Sequence, residues 1–240
     1  MQCLILAGGL GTRINSLGGG LPKSLIPVAG RPFLDYQLRW LAAGGVDRVV
    51  LALGYGAEQI KAYAGDGQDW NLHIDYADDG KQPLGTGGAI RRAIDCGFVA
   101  DSFFVLYGDS YLDVDLRAIW DKHQTTGLPV MTVFRNRGDW DASNVLMQDG
   151  VIKLFEKNRP DRDQLGMEYI DYGISLLSTS VIIKHVASGQ PADLADVFHV
   201  LSVNGELAAF EASRRFYEIG SPAGHAELQA HLANPGRTDD

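Results

Sequence analysis

The sequence predicts an α/β fold: a Rossmann-like, mostly parallel sheet flanked by helices, with a small subdomain built on in its second half. Two observations carry this. Short runs rich in Val, Ile, Leu and Phe alternate with helical patterns, which is how a sheet covered by helices on both faces reads. After residue 140 the alternation gives way to short extended pieces joined by polar loops.

The first strand is the apolar run Gln2–Leu6. Pro32 suits the first turn of a helix whose apolar face is Phe33, Leu34, Leu38 and Leu41. The strand Arg48–Leu53, the helix Ala57–Tyr63, the strand Leu72–Tyr76, the helix Thr86–Ile94, the strand Ser102–Tyr107, the helix Leu116–Thr125 and the strand Val130–Phe134 follow. The extended pieces of the second half are Asn144–Met147, Val151–Phe155 and Tyr169–Leu177. Helical character returns at Ser180–Val186, Ala192–Val203 and Ala223–Leu232. One domain is expected over 1–233, with halves of about 1–135 and 136–233, and the polar segment Asn234–Asp240 is expected to fray.

At 240 residues and 45% hydrophobic content, the chain has enough apolar surface for a substantial core. A net charge of −9 with no block of Lys and Arg argues against a nucleic-acid or anionic-membrane surface, so any anion site must be local. Cys3 and Cys96 make neither a metal set nor a disulfide framework, and are expected as buried thiols in a reducing cytoplasm. The apolar run Cys3–Ala7 is too short for a secretory signal, and no run approaches membrane-spanning length.

The most informative stretch is Leu6-Ala7-Gly8-Gly9-Leu10-Gly11-Thr12-Arg13, followed by Leu21-Pro22-Lys23-Ser24. Gly8, Gly9 and Gly11 leave the main chain free to take φ > 0 and to set its N–H groups against phosphate oxygens. Arg13 and Lys23 supply a planar fork and a mobile point charge. Together they read as a nucleoside triphosphate site. A dinucleotide fingerprint would need a third glycine where Ile14 stands, and a Walker A loop would need glycine where Pro22 stands.

Tyr107-Gly108-Asp109-Ser110 follows an apolar strand, so Asp109 is expected at the carboxyl edge of the sheet, placed to hold Mg²⁺ on a nucleotide. An ordinary turn is the alternative. Asp115 reads as the N-cap of the helix beginning near Leu116. Pro83-Leu84-Gly85-Thr86-Gly87-Gly88-Ala89 is a second glycine-rich loop entering a helix, suited to a flat base or an anion. Lys157, after Glu156, is a candidate for a second phosphorylated substrate, with a solvated Glu–Lys pair as the alternative. Asp171-Tyr172-Gly173 places a polar side chain and a glycine inside a strand, as where a ligand approaches the backbone. Glu218, before Ser221-Pro222, reads as a second metal ligand or as a charge at a helix start.

The order of these motifs resembles the nucleotidyltransferases that make sugar nucleotides, the sugar-nucleotide pyrophosphorylases, over nearly the whole chain. Gly8-Gly9-Leu10-Gly11-Thr12-Arg13 with Pro22-Lys23 forms the signature, and Leu84-Gly85-Thr86-Gly87-Gly88-Ala89, Gly108-Asp109, Glu156-Lys157 and Glu218-Ile219-Gly220 fall in the family's order. Within the family it looks most like short heptose 1-phosphate guanylyltransferases, with mannose 1-phosphate and N-acetylmuramate 1-phosphate enzymes next.

The resemblance implies a nucleotide-diphospho-sugar transferase fold with a small sugar-binding subdomain, and an Mg²⁺-dependent reaction. In that reaction a sugar 1-phosphate attacks the α-phosphorus of an NTP and expels pyrophosphate. It implies that Arg13 holds the pyrophosphate, Lys23 the phosphates at the reacting centre, and Asp109 with Glu218 the metal. Leu6, Ala7, Gly8, Gly9, Gly11 and Thr12, with Gln82, Gly85 and Thr86, would surround the nucleotide. Asn144, Glu156, Lys157, Asp171, Tyr172 and Gly173 would hold the sugar phosphate. Family members often assemble as homo-oligomers. The chain departs from the family in having Glu218 for the usual Asp, and Asp171-Tyr172-Gly173-Ile174 for an Asn-Ala-Gly-Ile pattern. Two other readings stay open. One is CTP- or UTP-dependent transfer to another phosphorylated acceptor, for which Trp140, Tyr169, Asp171 and Tyr172 would suit a cationic head group. The other is a nucleotide-sugar-binding subunit without turnover, against which Arg13, Lys23 and Asp109 stand.

Overall fold

Successive residues of a strand point to opposite faces, and here both faces are apolar. In the computed structural model, which describes residues 1–9, 14, 19–80, 82–136 and 142–233, Cys3 and Ile5 enter one core while Leu4 enters the other. The same split separates Val49, Leu51 and Leu53 from Val50 and Ala52, and Phe104 and Leu106 from Phe103 and Val105. Each face is then covered by helices. The first receives Phe33–Ala43, Ala57–Ala64 and Leu116–Thr126 through Leu38, Ile60 and Ile119. The second receives Gly85–Asp95, Thr179–His185 and Leu194–Val203 through Ile90, Ile182 and Phe198.

In chain order the strands are β1 (Gln2–Leu6), β2 (Pro27–Val28), β3 (Arg31–Pro32), β4 (Arg48–Leu53), β5 (His73–Asp78), β6 (Ser102–Tyr107), β7 (Ser110–Tyr111), β8 (Val130–Arg135), β9 (Val145–Gln148), β10 (Val151–Phe155), β11 (Tyr169–Ser178), β12 (Ala208–Ala212) and β13 (Tyr217–Glu218). The main sheet has nine strands in the order β5-β4-β1-β6-β11-β8-β12-β10-β9. Within it β10 and β11 run opposite to the rest, so the expectation of a mostly parallel sheet holds in a mixed form. Strands of the second half are woven into this sheet, with β11 between β6 and β8. A third, small core of Ile14, Ile26, Val28, Phe33, Ile219 and Leu228 seats the helix Pro222–Ala233 against the β2–β3 hairpin.

Several expectations need correction. Pro32 lies at the N-cap position of its helix, just before the first turn. The strand expected at Leu72–Tyr76 runs His73–Asp78, and the helix expected from Ala192 begins at Leu194, capped by Asp193. Cys96 is exposed, whereas Cys3 is buried and its thiol is held strongly protonated by that burial. β12 was not anticipated. Its Ala-Ala-Phe-Glu-Ala sequence lacks β-branched residues, yet it pairs in parallel with β8 along its whole length. Tertiary context overrides propensity at such a site.

Gly173 marks a second irregularity, because the register of β11 on β8 shifts between Asp171 and Ser175. Its φ is +100°, and a Cβ there would stand 2.6 Å from Ser110 Oγ. Gly173→Ala is expected to destabilise the protein by roughly 2–4 kcal/mol through backbone strain and overpacking. Adding Ser110→Gly should restore part of that loss. Urea midpoints of the three proteins measure it, and an unchanged midpoint for the single variant would contradict the steric account.

Candidate active site

Strands β5, β4, β1 and β6 are mutually parallel, so their carboxyl ends share one edge. The chain leaves β1 toward β4 on one side, and reaches β6 on the other. This makes the β1/β6 edge a topological switch point, where open α/β sheets bind ligands. A cavity of about 500 Å³ opens there, lined by the segments after all four strands: Leu6–Gly9, Gly54 and Tyr55, Asp79–Gly80 with Pro83, Gly85 and Thr86, and Tyr107–Asp109. The sequence motifs single out three of these four segments and miss the one after β4.

Glycines set the shape of this edge by letting backbones touch. A Cβ on Gly54 would lie 2.7 Å from Gly8 O, and one on Gly108 would strike Leu6 O, which accepts the Gly108 amide at 3.1 Å. Gly8 and Gly9 do not have φ > 0, contrary to expectation. Gly8 is required by the approach of Gly54, while no described residue beyond its chain neighbours comes within 4 Å of where a Gly9 Cβ would stand. Gly11, Thr12 and Arg13 lie outside the described residues, as does Trp140.

Lys23 and Asp109 meet across the switch point. Pro22 enters a 3-10 turn, Lys23–Leu25, by accepting the Leu25 amide at 2.9 Å. The Pro22 ring packs against Gly56, where a Cβ would come within 2.6 Å. That turn aims Lys23 Nζ at Asp109 Oδ2, 2.6 Å away, with 18% and 34% of the two side chains exposed. The buried hydroxyl of Ser24, next in the turn, also lines the cavity and has no hydrogen-bond partner among the described residues.

Glu218 is delivered to the same place because it pairs with Ser110 across β13–β7, and Ile219 N donates to Asp109 O at 3.0 Å. Its carboxylate folds back over the start of the helix Pro222–Ala233. There it accepts from the Gly220 amide and, at 2.6 Å, from Ser221 Oγ. Glu218 Oε2, Lys23 Nζ and Asp109 Oδ2 all lie within 3.4 Å of the point where a Gly220 Cβ would stand.

That convergence is also the test of a metal. Mg²⁺ takes one or two carboxylates plus phosphate oxygens and water. Two hard carboxylates around a space that only a glycine leaves open, one of them already paired with a cation, the Lys23 ammonium, fit that requirement. No cluster of three or more ligating side chains exists among the described residues, and none is needed.

The second glycine-rich loop behaves differently from its sequence reading. The amides of Gly87 and Gly88 donate to Ala192 O at 2.9 and 3.2 Å, so these helix-start donors are taken by the chain itself rather than turned to an anion. Gly85 and Gly87 lack Cβ atoms because the Ala192–Asp193 backbone passes over them. Thr86 Oγ1 accepts the Leu194 amide at 2.7 Å and donates to Asp193 Oδ1 at 2.8 Å, so it caps a neighbouring helix. Gln82 is exposed and does not line the cavity.

On the far side of Tyr107 stands the other candidate cluster. Tyr107 and Asp171 act on each other's ionisation within this cluster. Asn144 Oδ1 accepts the Asp171 amide at 3.0 Å, and the Lys157 charge acts on both Asp171 and Asp193. Glu156 pairs with Arg159 at 2.7 Å rather than with Lys157, which is exposed. Two expectations fail here. Tyr172 is fully buried, packs on Phe134 and Phe216, and bonds to the Asp113 backbone, so it is a core residue and not a ligand contact. Gly173 admits Ser110, not a ligand. Asp115 caps its helix as read, accepting the Arg117 and Ala118 amides.

Taken together, the fold brings a lysine–carboxylate pair and, behind a glycine, a second carboxylate to a switch-point cavity of an α/β sheet. The chain belongs to the nucleotidyl transferase family, whose model matches residues 2–232, and is a sugar-1-phosphate nucleotidyltransferase. It is 37% identical over 239 residues to a D-glycero-alpha-D-manno-heptose 1-phosphate guanylyltransferase of Aneurinibacillus thermoaerophilus, covering 97% of this chain and 98% of that one. It is also 37% identical over 160 residues to a protein of the same name from Campylobacter jejuni, covering 65% and 69% of the two chains. Among solved structures it is similar to HddC from Yersinia pseudotuberculosis, at 27% identity with 96% and 99% coverage. The TM-score is 0.77, and 0.76 against the form complexed with GMP-PN. No helix among the described residues is long and apolar enough to cross a membrane.

Asp171 supplies a test of the cluster's electrostatics. Burial pushes its pKa up to about 6 from 3.8, outweighing the Gly173 amide, Lys157 and the Tyr107 hydroxyl. A carboxyl raised in the folded state contributes stability that is fully present below the ordinary value, and that is lost as pH rises through about 6. Carboxyl ¹³C NMR should therefore show Asp171 titrating near pH 6, and Asp171→Asn should flatten the stability profile between pH 4 and 6. A titration below pH 4 would refute the burial argument.

Proposed function

We propose that this enzyme joins GTP to D-glycero-α-D-manno-heptose 1-phosphate or a closely related sugar phosphate, with Mg²⁺, giving a GDP-sugar and pyrophosphate. The observation that carries the reading is the Lys23–Asp109 pair at the mouth of the switch-point cavity, with Glu218 behind it. The choice of substrates is supported by the names of the two 37%-identical relatives and by the GMP-PN complex of HddC. Two free cysteines, Cys3 and Cys96, agree with a cytoplasmic location.

In this reading no side chain forms a covalent bond. Catalysis rests on alignment and on cancelling charge as a sugar-phosphate oxygen attacks the α-phosphorus. Lys23 leaves Asp109 and moves onto the phosphates at the reacting centre, while Arg13 is assigned the departing pyrophosphate on its place in the motif. Asp109 and, with rearrangement of its cap, Glu218 would hold Mg²⁺, which neutralises phosphate charge when bound. Leu6, Ala7, Gly8 and Gly9 wall the nucleotide, whereas Lys157, Asp171 and Asn144 take the sugar phosphate from beyond Tyr107. Glu156, held by Arg159, borders that side.

The decisive assay is pyrophosphate release with Mg²⁺ from GTP and D-glycero-α-D-manno-heptose 1-phosphate, set against the other four nucleoside triphosphates and hexose 1-phosphates. Lys23→Ala should lower kcat/KM by about 100- to 1,000-fold with the fold intact by circular dichroism. Unchanged turnover would remove Lys23 from the phosphates.

A further inference from the structure

The cavity contains a charged group that the reaction just described does not use. Asp79 stands immediately after β5, and its two oxygens differ. Oδ2 accepts the Leu84 amide at 3.3 Å, while Oδ1 is buried with no hydrogen-bond partner among the described residues. A buried acceptor left unmatched costs stability, so it is kept where a ligand completes it. Burial also raises the Asp79 pKa against the pull of the Leu84 amide. Around it the cavity offers the surfaces a flat ring needs, namely Ala52, Pro83, Ala89 and the half-exposed ring of Tyr55.

Its distance from the phosphate end is also suitable. β5 is two strands from β1 in the sheet order, or about 10 Å at the usual strand spacing. A ribose and a purine span that gap. Among the common bases, guanine offers two adjacent donors on one edge, N1–H and the 2-amino group, and a carboxylate can accept both. Uracil and thymine flank their single N–H with carbonyl oxygens that a carboxylate repels, and adenine and cytosine present a ring acceptor there.

We propose that Asp79 selects the guanine base, with its carboxylate accepting from N1–H and the 2-amino group. The inference rests on the GTP reading above and assigns it to one side chain. Nothing in the sequence motifs singled out Asp79, whereas Gln82, which they did single out, lies outside the cavity lining.

Binding of GTP, ITP, XTP and UTP to the intact protein, measured by isothermal titration calorimetry without an acceptor, tests this. Wild type should bind GTP at least about 10-fold more tightly than ITP, which lacks the 2-amino group, and should reject XTP. Asp79→Asn should lose roughly 10- to 100-fold for GTP and gain for XTP, since an amide N–H donates to the 2-oxo group that the carboxylate repels. The gain for XTP also shows that the variant is folded. If wild type prefers GTP and Asp79→Asn leaves the GTP-to-XTP ratio unchanged, or weakens both equally, Asp79 is not the reader and the GTP reading stands. If wild type shows no preference for GTP over ITP and UTP, the GTP reading itself fails.

Discussion

Backbone-to-backbone contact at the carboxyl edge of β1 is the constraint on which the site depends. Gly108 rests on Leu6 O, Gly54 on Gly8 O, and Gly56 beneath the Pro22 ring. Each contact brings the segment after one strand against its neighbour at a distance no Cβ would allow. The floor of the cavity is therefore main chain, fixed by the parallel register of β4, β1 and β6. Side chains that must be placed accurately, Lys23 and Asp109, project from segments held by these contacts.

Charge is balanced within the site before any substrate arrives. Lys23 and Asp109 satisfy each other at 2.6 Å in a partly exposed setting, and Glu218 satisfies the start of a helix. The pair is part-buried and directly hydrogen-bonded, so in the proposed reaction a phosphate and a cation must take the place that each partner now fills.

The nine-stranded sheet was legible wherever a strand is apolar on both faces. β1, β4 and β6 match their expected limits because burial on two sides leaves an unbroken apolar run. β12 was not legible, because its alanines, Ala208 and Ala212 in one core and Ala209 in the other, are buried on both faces yet carry no strand signal of their own. In the site, Lys23, Asp109 and Glu218 could be found from motif order, since their chemistry needs charge at defined points. Tyr172 misled because a tyrosine beside an aspartate in a strand gives no sign of which face is wet. Here strand alternation turns Asp171 to the cleft side and Tyr172 into the core. Asp79 escaped because one carboxylate at a strand end has no pattern around it, and only the three-dimensional cavity shows its oxygen unmatched.

The second glycine-rich loop shows how the same sequence signal can serve a different purpose. Helix starts attract anions because their first amides lack partners, but at Gly87 and Gly88 those amides are already satisfied by Ala192 O. The glycines admit the Gln190–Asp193 backbone, and Thr86 completes the cap of the next helix. This loop is therefore coupled mechanically to Asp193, whose charge is felt by Tyr107 and Lys157. Burial would raise the Asp193 pKa, yet the Ala195 amide and the Thr86 hydroxyl hold it below the ordinary range. Asp193 is thus a fixed anion between the nucleotide cavity and the Asp171 cluster. The Lys157 charge acts on Asp171 and Asp193 alike, so the Asp171 cluster and the cavity-lining Thr86 are linked through Asp193 rather than through the helix terminus.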